Sequence, residues 1–463
     1  MKIKYLLFCI GLFISMRLAA QNVQLWGTAE YGGAYNGGTI FSMNTDGTNF
    51  NVERAFNTLP GNHPRGNLFM ASDSNLYGVC AGGEWYGGGT IYRYNPVNGD
   101  YSDVYSFDWT HGNFPASGVV EKDGVLYGTA VIGGVNGRGV IYSYTIATEI
   151  YTDLYDMAYP AEANPYSTPV VASDGKLYGT TANASGTIYS FDPATNIYST
   201  VHEFDFLTAY LPVGGLIQAS DGKLYGMARD GGANSSGAIF SFDPLDNIYE
   251  SLYDFDFSTG GFPSGTLMQG SNGILYGLTT EGGSNYHGVI FSFDPSGNTY
   301  TKLFDLSDSV GILPLANLMQ VGNILYGTTF HGSANDDGTV FNFDLLTNTF
   351  TKLLDFNGSN GAYPTGGFIT LSGIESGVQL PPVDVFTINP NPVTQYVICN
   401  ATSFNNQKVN LIVTDLSGKE ILSQQLVMRN SQLKINLGNL TSGVYFIELM
   451  ADNEKKIAKV MKE

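Results

Sequence analysis

A tripeptide of leucine, an aromatic residue and glycine returns seven times along this chain at a nearly constant interval. Successive glycines are separated by steps of 51, 50, 51, 47, 51 and 50 residues, at positions Gly27, Gly78, Gly128, Gly179, Gly226, Gly277 and Gly327. A repeat of about 50 residues with strand-like content is typical of a β-propeller, in which each repeat forms one blade. The seven copies predict an all-β fold, with a seven-bladed β-propeller over residues 21–373.

Each repeat reads as four short strands, which we name A to D. In the sixth repeat the strand-like runs are 266–269, 274–278, 289–294 and 300–306, and Gly, Asn, Asp and Pro residues separate them. A proline precedes every strand A, where its missing N–H does not interrupt a ladder. The array starts at a strand B and ends with a lone strand A at 367–371. Pairing of these two strands would close a ring and cover two exposed edges.

The two ends of the chain differ from the repeats. Residues 1–20 combine two lysines with a short apolar run and small residues, which is the pattern of a secretory signal peptide. That run is too short for a membrane span, and no later segment is apolar enough, so we expect no transmembrane segment. Residues 374–383 read as a linker. Residues 384–463 lose the period and contain six or seven short strand-like runs, which favour a small immunoglobulin-like β-sandwich.

The charge of the chain limits the classes of partner that it can bind. It has 41 acidic and 21 basic residues, a net charge of −20. The excess lies in the repeats, because residues 383–463 hold seven acidic and eight basic residues. This asymmetry supports two domains. A strongly acidic body argues against nucleic acid and against anionic membrane surfaces as partners.

The repeat resembles a known family. In the seventh copy, Leu-Tyr-Gly is followed by Thr328, Gly332 and a Gly-Thr-Val-Phe run at 338–341. This pattern is similar to the GloVer-type tandem repeat of bacterial choice-of-anchor surface proteins. The resemblance implies a propeller-like secreted protein and brings no assigned activity with it.

The C-terminal region resembles the type A sorting domain of the type IX secretion system of Bacteroidetes. Its motifs are an Asn-Pro-Asn-Pro run, an Asp-Leu-Ser-Gly-Lys turn, a Gly-Val-Tyr-Phe strand and a basic final strand. The residues that carry them are Asn391, Pro392, Gly418, Gly443, Tyr445 and Lys459. The resemblance implies recognition by the outer-membrane translocon through residues 384–463. It also implies removal of the domain and a body that is either secreted or held on the outer cell surface.

No motif for chemistry stands out in the sequence. The five histidines do not form a metal-ligand spacing, and the Gly-Gly pairs lie between strands rather than before a helix. We therefore predict no catalytic residue, no metal and no cofactor.

The loops between strands B and C and between D and A vary between repeats, and variable loops on a rigid scaffold commonly carry function. Four positions after the repeat glycine, repeats four to seven place Asn183, Asp230, Glu281 and His331. Neighbouring loops supply aromatic residues, namely Trp85, Tyr86, Trp109 and Tyr286. Aromatic platforms with polar neighbours suit a glycan or a peptide.

Two other functions stay open. In a carbohydrate-active hydrolase or lyase, Asp230 and Glu281 would act as acid and base at the pore mouth. In a purely structural surface protein, the loops would bind nothing. A binding protein would show saturable affinity for a ligand, and an enzyme would show turnover that is lost in Glu281→Gln. A structural protein would show neither.

Overall fold

We describe a computed structural model of the chain, which has two compact units, Met1–Ser376 and Gly377–Glu463. The residues it describes are 23–57, 61–82, 88–158, 163–206, 208–372, 387–389, 393–400, 407–415, 419–428, 432–451 and 454–462. Every regular element among them is a β-strand, as the repeat predicts. The predicted signal peptide and the predicted linker lie outside the described residues.

The first unit contains strands β1–β28. Their bounds are β1 Val23–Ala29, β2 Thr39–Asn44, β3 Asn51–Ala55, β4 Pro64–Met70, β5 Leu76–Cys80, β6 Thr90–Tyr94, β7 Tyr101–Ser106, β8 Val120–Lys122, β9 Val125–Ala130, β10 Val140–Thr145, β11 Ile150–Asp156, β12 Val170–Val171, β13 Leu177–Thr181, β14 Thr187–Asp192, β15 Ile197–Glu203, β16 Ile217–Gln218, β17 Leu224–Ala228, β18 Ala238–Asp243, β19 Ile248–Asp254, β20 Met268–Gln269, β21 Leu275–Leu278, β22 Val289–Asp294, β23 Thr299–Asp305, β24 Met319–Val321, β25 Ile324–Thr329, β26 Thr339–Asp344, β27 Thr349–Asp355 and β28 Ile369–Ser372.

Within the described residues these strands form seven four-stranded antiparallel sheets. The first has the order β28-β1-β2-β3, and the other six each take four consecutive strands, from β4–β7 to β24–β27. We number them sheets one to seven. Strand A stands at one edge of each sheet and strand D at the other. The observed strand A of sheet six, Met268–Gln269, is shorter than the predicted run 266–269, and Thr266 instead accepts a hydrogen bond from Gly215 of the neighbouring sheet.

The two ends of the array meet in sheet one. Strand β28 pairs with β1 in antiparallel register, and Trp26 lies opposite Ile369. A cavity of about 540 Å³ runs past strand A of all seven sheets, and its lining includes Asn67, Ser117, Thr266 and Phe368. The sheets therefore surround a central channel.

The repeat glycine has a packing reason. Each one lies on strand B directly opposite the first aromatic residue of strand C, as Gly277 lies opposite Phe291. A Cβ atom on Gly277 would stand 2.5 Å from the Phe291 ring. The same cross-strand pairing occurs in Gly27↔Phe41, Gly78↔Tyr92, Gly128↔Tyr142, Gly179↔Tyr189, Gly226↔Phe240 and Gly327↔Phe341. Only glycine leaves room for a ring that lies flat across the neighbouring strand.

Neighbouring sheets are joined by stacked rings on their D strands. The ring of Tyr253 in sheet five stacks on Tyr300 in sheet six, with centroids 4.3 Å apart. Equivalent contacts are Tyr105–Tyr151, Tyr155–Tyr198, His202–Tyr249 and Phe304–Phe350, and Arg54 covers Tyr101 between sheets one and two. Offset or parallel ring pairs of this kind add to the energy of simple burial.

The second unit contains β29–β35. Their bounds are β29 Thr387–Asn389, β30 Tyr396–Asn400, β31 Lys408–Asp415, β32 Glu420–Val427, β33 Gln432–Asn436, β34 Gly443–Ala451 and β35 Glu454–Lys462. They form two sheets, β29-β30-β33 and β32-β31-β34-β35. Val397 and Ile435 of the first sheet share a buried core with Leu411 and Ile447 of the second. The unit is therefore a small sandwich.

The sorting motifs fall partly on this sandwich. Gly443 begins β34, and the buried Tyr445 donates a hydrogen bond from its hydroxyl to the Thr441 carbonyl, 2.9 Å away. Lys459 lies on β35 opposite Phe446. The predicted Asn391, Pro392 and Gly418 lie outside the described residues.

Candidate functional site

One mouth of the channel takes a single residue from each sheet. The residue that follows the proline before strand A lines a cavity of about 230 Å³, and the seven are Arg65, Ala116, Tyr166, Val213, Ser264, Leu315 and Thr365. We call them the mouth ring. Strands in a sheet alternate in direction, so this mouth lies at the end where the B–C and D–A loops emerge. Arg65 is the only ionised side chain in the ring.

A strained turn sets the position of every member of the mouth ring. The residue before each proline has a left-handed backbone, with φ between 52° and 60°, and these residues are His63, Phe114, Asn164, Leu211, Phe262, Leu313 and Tyr363. Left-handed backbone is uncommon for bulky residues, and a residue before proline favours an extended conformation. Such strain persists only where the surrounding structure holds it.

Paired backbone hydrogen bonds hold these turns. In sheet five, the N–H of Tyr210 donates to the Asp230 carbonyl over 2.9 Å, and the N–H of Asp230 donates back over 3.1 Å. Sheet six repeats the pair between Gly261 and Glu281, and sheet seven between Ile312 and His331. The B–C loop of each sheet therefore anchors the D–A connection that enters the same sheet.

Arg65 is fixed by a buried carboxylate. Its Nε and Nη2 atoms donate to Oε1 of Glu30 over 2.8 and 2.6 Å, and its guanidinium lies over the Phe114 ring at 5.0 Å. Glu30 is 2% exposed, whereas the Arg65 side chain is 32% exposed. Burial raises the pKa of Glu30, and the attraction of Arg65 opposes that rise. Oε2 of Glu30 is buried and has no hydrogen-bond partner.

Half-buried rings continue from Arg65 along one side of the mouth. Tyr31 lies 4.4 Å from His63 and 5.8 Å from Tyr363 between ring centroids, and Tyr363 lies 5.1 Å from both Phe330 and His331. We call these five residues the aromatic arc. Burial lowers the pKa of His63, while its bond to the Glu30 carbonyl opposes that change. The arc thus places ring surfaces beside the Arg65–Glu30 pair.

The channel behind the mouth is lined by backbone, polar side chains and apolar side chains. Gly265 touches its neighbour closely, since a Cβ there would stand 2.6 Å from the Ala316 carbonyl oxygen. The N–H of Gly215 donates to Oγ1 of Thr266, and that of Gly367 donates to Oδ1 of Asn67. Adjacent sheets therefore meet closely around the channel and are joined there by hydrogen bonds from backbone N–H groups to side-chain oxygens.

The four polar residues predicted at the loop rim occupy equivalent positions in sheets four to seven. Oδ2 of Asp230 lies 3.3 Å from Nη1 of Arg229, and Nδ1 of His331 lies 3.2 Å from the Asp336 carbonyl oxygen. His331 also belongs to the aromatic arc. Asn183 and Glu281 take part in the backbone pairs that anchor the turns.

The predicted aromatic residues are distributed differently. Trp85 and Tyr86 lie outside the described residues. Trp109 is 48% exposed and Tyr286 is 69% exposed, and the Tyr286 ring lies 6.0 Å from Phe257. The sequence interpretation included His331 but missed the mouth ring, Glu30 and the other four residues of the aromatic arc. The available signal was the residue after each proline, because it differs in all seven repeats.

In the described part of the chain, no group of three or more His, Cys, Asp or Glu side chains is placed to hold a metal ion. A search of the described residues finds no helix with the length and apolar character of a membrane span.

Comparison with protein families gives two matches. The Gloeobacter/Verrucomicrobia repeat matches residues 13–185 and 165–380, and a secretion system C-terminal sorting domain matches residues 387–463. The second match confirms the predicted type IX sorting domain, which indicates export, interaction with the type IX secretion machinery, and secretion or cell-surface attachment. No curated protein matches the sequence.

Three solved structures resemble the chain. A candidate 6-phosphogluconolactonase from Bacteroides uniformis ATCC 8492 is 14% identical with a TM-score of 0.52, over 76% of this chain and 99% of its own. Another from Bacteroides fragilis NCTC 9343 is 15% identical with a TM-score of 0.50, over 76% and 98%. A puromycin hydrolase is 12% identical with a TM-score of 0.51, over 81% of this chain and 57% of its own. At these identities the likeness shows the fold alone, which is β-propeller-like.

Proposed function

This chain belongs to the family of Gloeobacter/Verrucomicrobia repeat proteins and carries a type IX sorting domain, and from that premise we propose that its body is a binding module. In this proposal the seven sheets over residues 21–373 are the blades of one propeller, and residues 384–463 deliver it to the secretion machinery. The ligand is a glycan or a peptide, and it binds at the channel mouth and the surrounding B–C and D–A loops.

The mouth ring is the observation that carries this proposal. Seven different side chains converge on one cavity, and every one is set in place by a strained turn. A concave site with a few placed polar groups and ring surfaces is the usual form of a ligand site. Strain of this kind costs of order 1–3 kcal/mol per residue and gathers at binding sites.

Two alternatives fit the same scaffold. An enzyme would use Asp230 and Glu281 as acid and base. Oδ2 of Asp230 already has an ionic partner in Arg229, 3.3 Å away, and the Glu281 backbone anchors a turn. A structural surface protein would need neither the mouth ring nor the arc. These contacts favour binding over catalysis at this rim.

The proposal is tested with a glycan and peptide array that is probed with the purified protein containing both units. The variant Ser264→Trp places a large ring in the mouth, and Ser296→Trp places the same ring in an exposed C–D turn at the opposite end of sheet six. We expect any array ligand of the parent protein to be lost in Ser264→Trp and retained in Ser296→Trp.

Three results would contradict the proposal. An array without any saturable ligand supports the structural alternative. Equal binding by both tryptophan variants places the ligand elsewhere. Turnover of an array glycan that disappears in Glu281→Gln while binding persists supports the enzyme.

A further inference from the structure

We infer that the channel mouth takes the end of a neutral glycan, with an uncharged sugar residue seated between the Arg65–Glu30 pair and the aromatic arc. This inference rests on the proposed function and narrows it to one ligand class. The juxtaposition that carries it is a partly exposed cationic donor at the cavity, a buried anionic acceptor that holds this donor, and half-buried rings on the loops beside the pair.

The first step concerns charge. The guanidinium of Arg65 is compensated by Glu30, whose Oε1 lies 2.6 and 2.8 Å from two of its nitrogens. A ligand carboxylate would therefore meet a pair with no net charge. It would also approach a chain with a net charge of −20. Like-sign repulsion of this kind opposes association of an anionic ligand.

The second step concerns hydrogen bonds. A sugar hydroxyl both donates and accepts, and a bond to an ionised partner is roughly twice as strong as one between neutral groups. Arg65 offers donors on its exposed side, and Ser264, Tyr166 and Thr365 add hydroxyls around the ring. Oε2 of Glu30 is buried without a hydrogen-bond partner, so the carboxylate acts on a ligand only through Arg65. The mouth thus offers hydrogen-bond donors and hydroxyl acceptors around one cavity.

The third step concerns shape. A sugar has apolar C–H faces that pack on aromatic rings, and the arc presents Tyr31, His63 and Tyr363 beside the pair. The channel behind the mouth is lined by Gly backbone and Ser, Thr and Asn groups together with apolar residues such as Leu216 and Ile217. A sugar presents hydroxyl groups and apolar C–H faces side by side, whereas a peptide is usually read through pockets for its side chains. A neutral glycan end is therefore favoured over a peptide.

The test uses the full chain and three kinds of free probe. Saturation-transfer NMR is recorded with D-glucose, D-galactose, D-mannose and N-acetyl-D-glucosamine. D-glucuronate and D-galacturonate are the charged counterparts of the first two, and N-acetyl-alanyl-alanine amide represents a peptide. We expect transfer to at least one neutral sugar, and at least tenfold weaker binding of its uronate.

The key variant is the double substitution Arg65→Gln/Glu30→Gln, which removes both charges and leaves neither group as an unpaired buried ion. We expect this variant to bind the neutral sugar at least tenfold more weakly than the parent protein does. Lys223→Gln/Glu250→Gln removes an exposed ion pair of 3.0 Å at the opposite end of sheet five and is expected to change nothing. Thermal unfolding of both variants establishes that they fold.

The outcomes separate this inference from the proposed function. The inference is overturned by any of three results. These are stronger binding of the uronates than of the neutral sugars, binding of the peptide alone, and equal binding of a neutral sugar by the parent protein and the Arg65→Gln/Glu30→Gln variant. If the array still yields a ligand that Ser264→Trp abolishes, the binding function then stands without it. If neither array nor NMR gives a ligand, both proposals fail.

Discussion

The interior of the sheets and the mouth of the channel obey different rules. In the interior, all seven sheets set a glycine opposite an aromatic ring at the same register. At the mouth, the same backbone turn recurs seven times with seven different residues. Packing explains the first set completely, because a Cβ would collide with a ring. The residues of the mouth ring share no packing requirement, so their side chains can vary to suit a ligand.

The largest expected effect breaks the interior. Gly277→Ala puts a methyl group 2.5 Å from the Phe291 ring and 3.0 Å from Leu267. Overpacking of this kind costs about 3 kcal/mol, which denaturant unfolding would measure. The matched control is Gly297→Ala in the C–D turn of the same sheet, where a Cβ meets only Oγ1 of Thr299 at 3.2 Å. A loss as large in the control would mean that backbone effects, rather than the ring, require glycine.

A smaller effect of opposite sign sharpens the interior rule. The Tyr189 hydroxyl is buried without a partner, while sheets five to seven carry phenylalanine at this position. Tyr189→Phe should stabilise the protein by about 1 kcal/mol, since it removes an unsatisfied polar group. Tyr178→Phe in the same sheet should destabilise it by about 1 kcal/mol, because that hydroxyl donates to Asp174 over 2.9 Å. Equal signs for the two variants would refute this account of the buried hydroxyls.

The third prediction concerns pH at one junction between sheets. His202 stacks on Tyr249 with centroids 3.8 Å apart, and burial lowers its pKa while Asp205 opposes the change. The unfolded chain then binds a proton more readily than the folded one. The neutral ring therefore contributes its whole share of stability above the pKa of histidine in the unfolded chain, about 6.5. That contribution is lost as the pH falls below this pKa.

His202→Phe imitates the Phe304–Phe350 junction and should flatten this part of the pH dependence. Urea unfolding of both proteins between about pH 7.5 and about pH 5.5 measures the difference. His63 titrates in the same direction and is present in both proteins, so it cancels. Parallel curves for parent and variant would rule out the imidazole as the source.

The smallest effect on stability belongs to the rim. Replacing Asp230 and Glu281 with alanine should change the free energy of unfolding by no more than about 0.5 kcal/mol, since the partner of the 15% exposed Asp230 is the 40% exposed Arg229, and ion pairs that reach solvent contribute little. If these residues bind the ligand as the sequence predicts, affinity falls in the same variant. A large loss of stability would place them among the structural residues instead.

Much of the fold follows from the sequence, because the Leu-aromatic-Gly spacing records a packing rule. The all-β class and the four strands per repeat are read from that spacing, and the pairing of the last strand with the first follows from a split repeat. The start of strand A was placed too early in sheet six. There Gly265 and Thr266 contact neighbouring sheets instead of pairing with strand B. A local sequence pattern cannot predict such a contact between repeats.

The site was less accessible to sequence reasoning. Asp230 and His331 were chosen because polar residues at a variable loop position suggest binding. The Arg65–Glu30 pair joins two residues 35 positions apart from adjacent repeats, so neither stands out locally. Glu30 looks like any acidic residue of an acidic chain until its burial is known. Only the geometry distinguishes it from the exposed carboxylates.

The pairing of β28 with β1 has a consequence for how the chain matures. Strand β1 has no inner neighbour until residues near Ile369 have arrived, so the first sheet is the last to be completed. Contacts between distant parts of a chain form slowly. Until then β1 keeps an unpaired edge, and a proteolytic cut just before Ile369 would weaken the sheet that leads into Glu30 rather than damage only the C-terminal end.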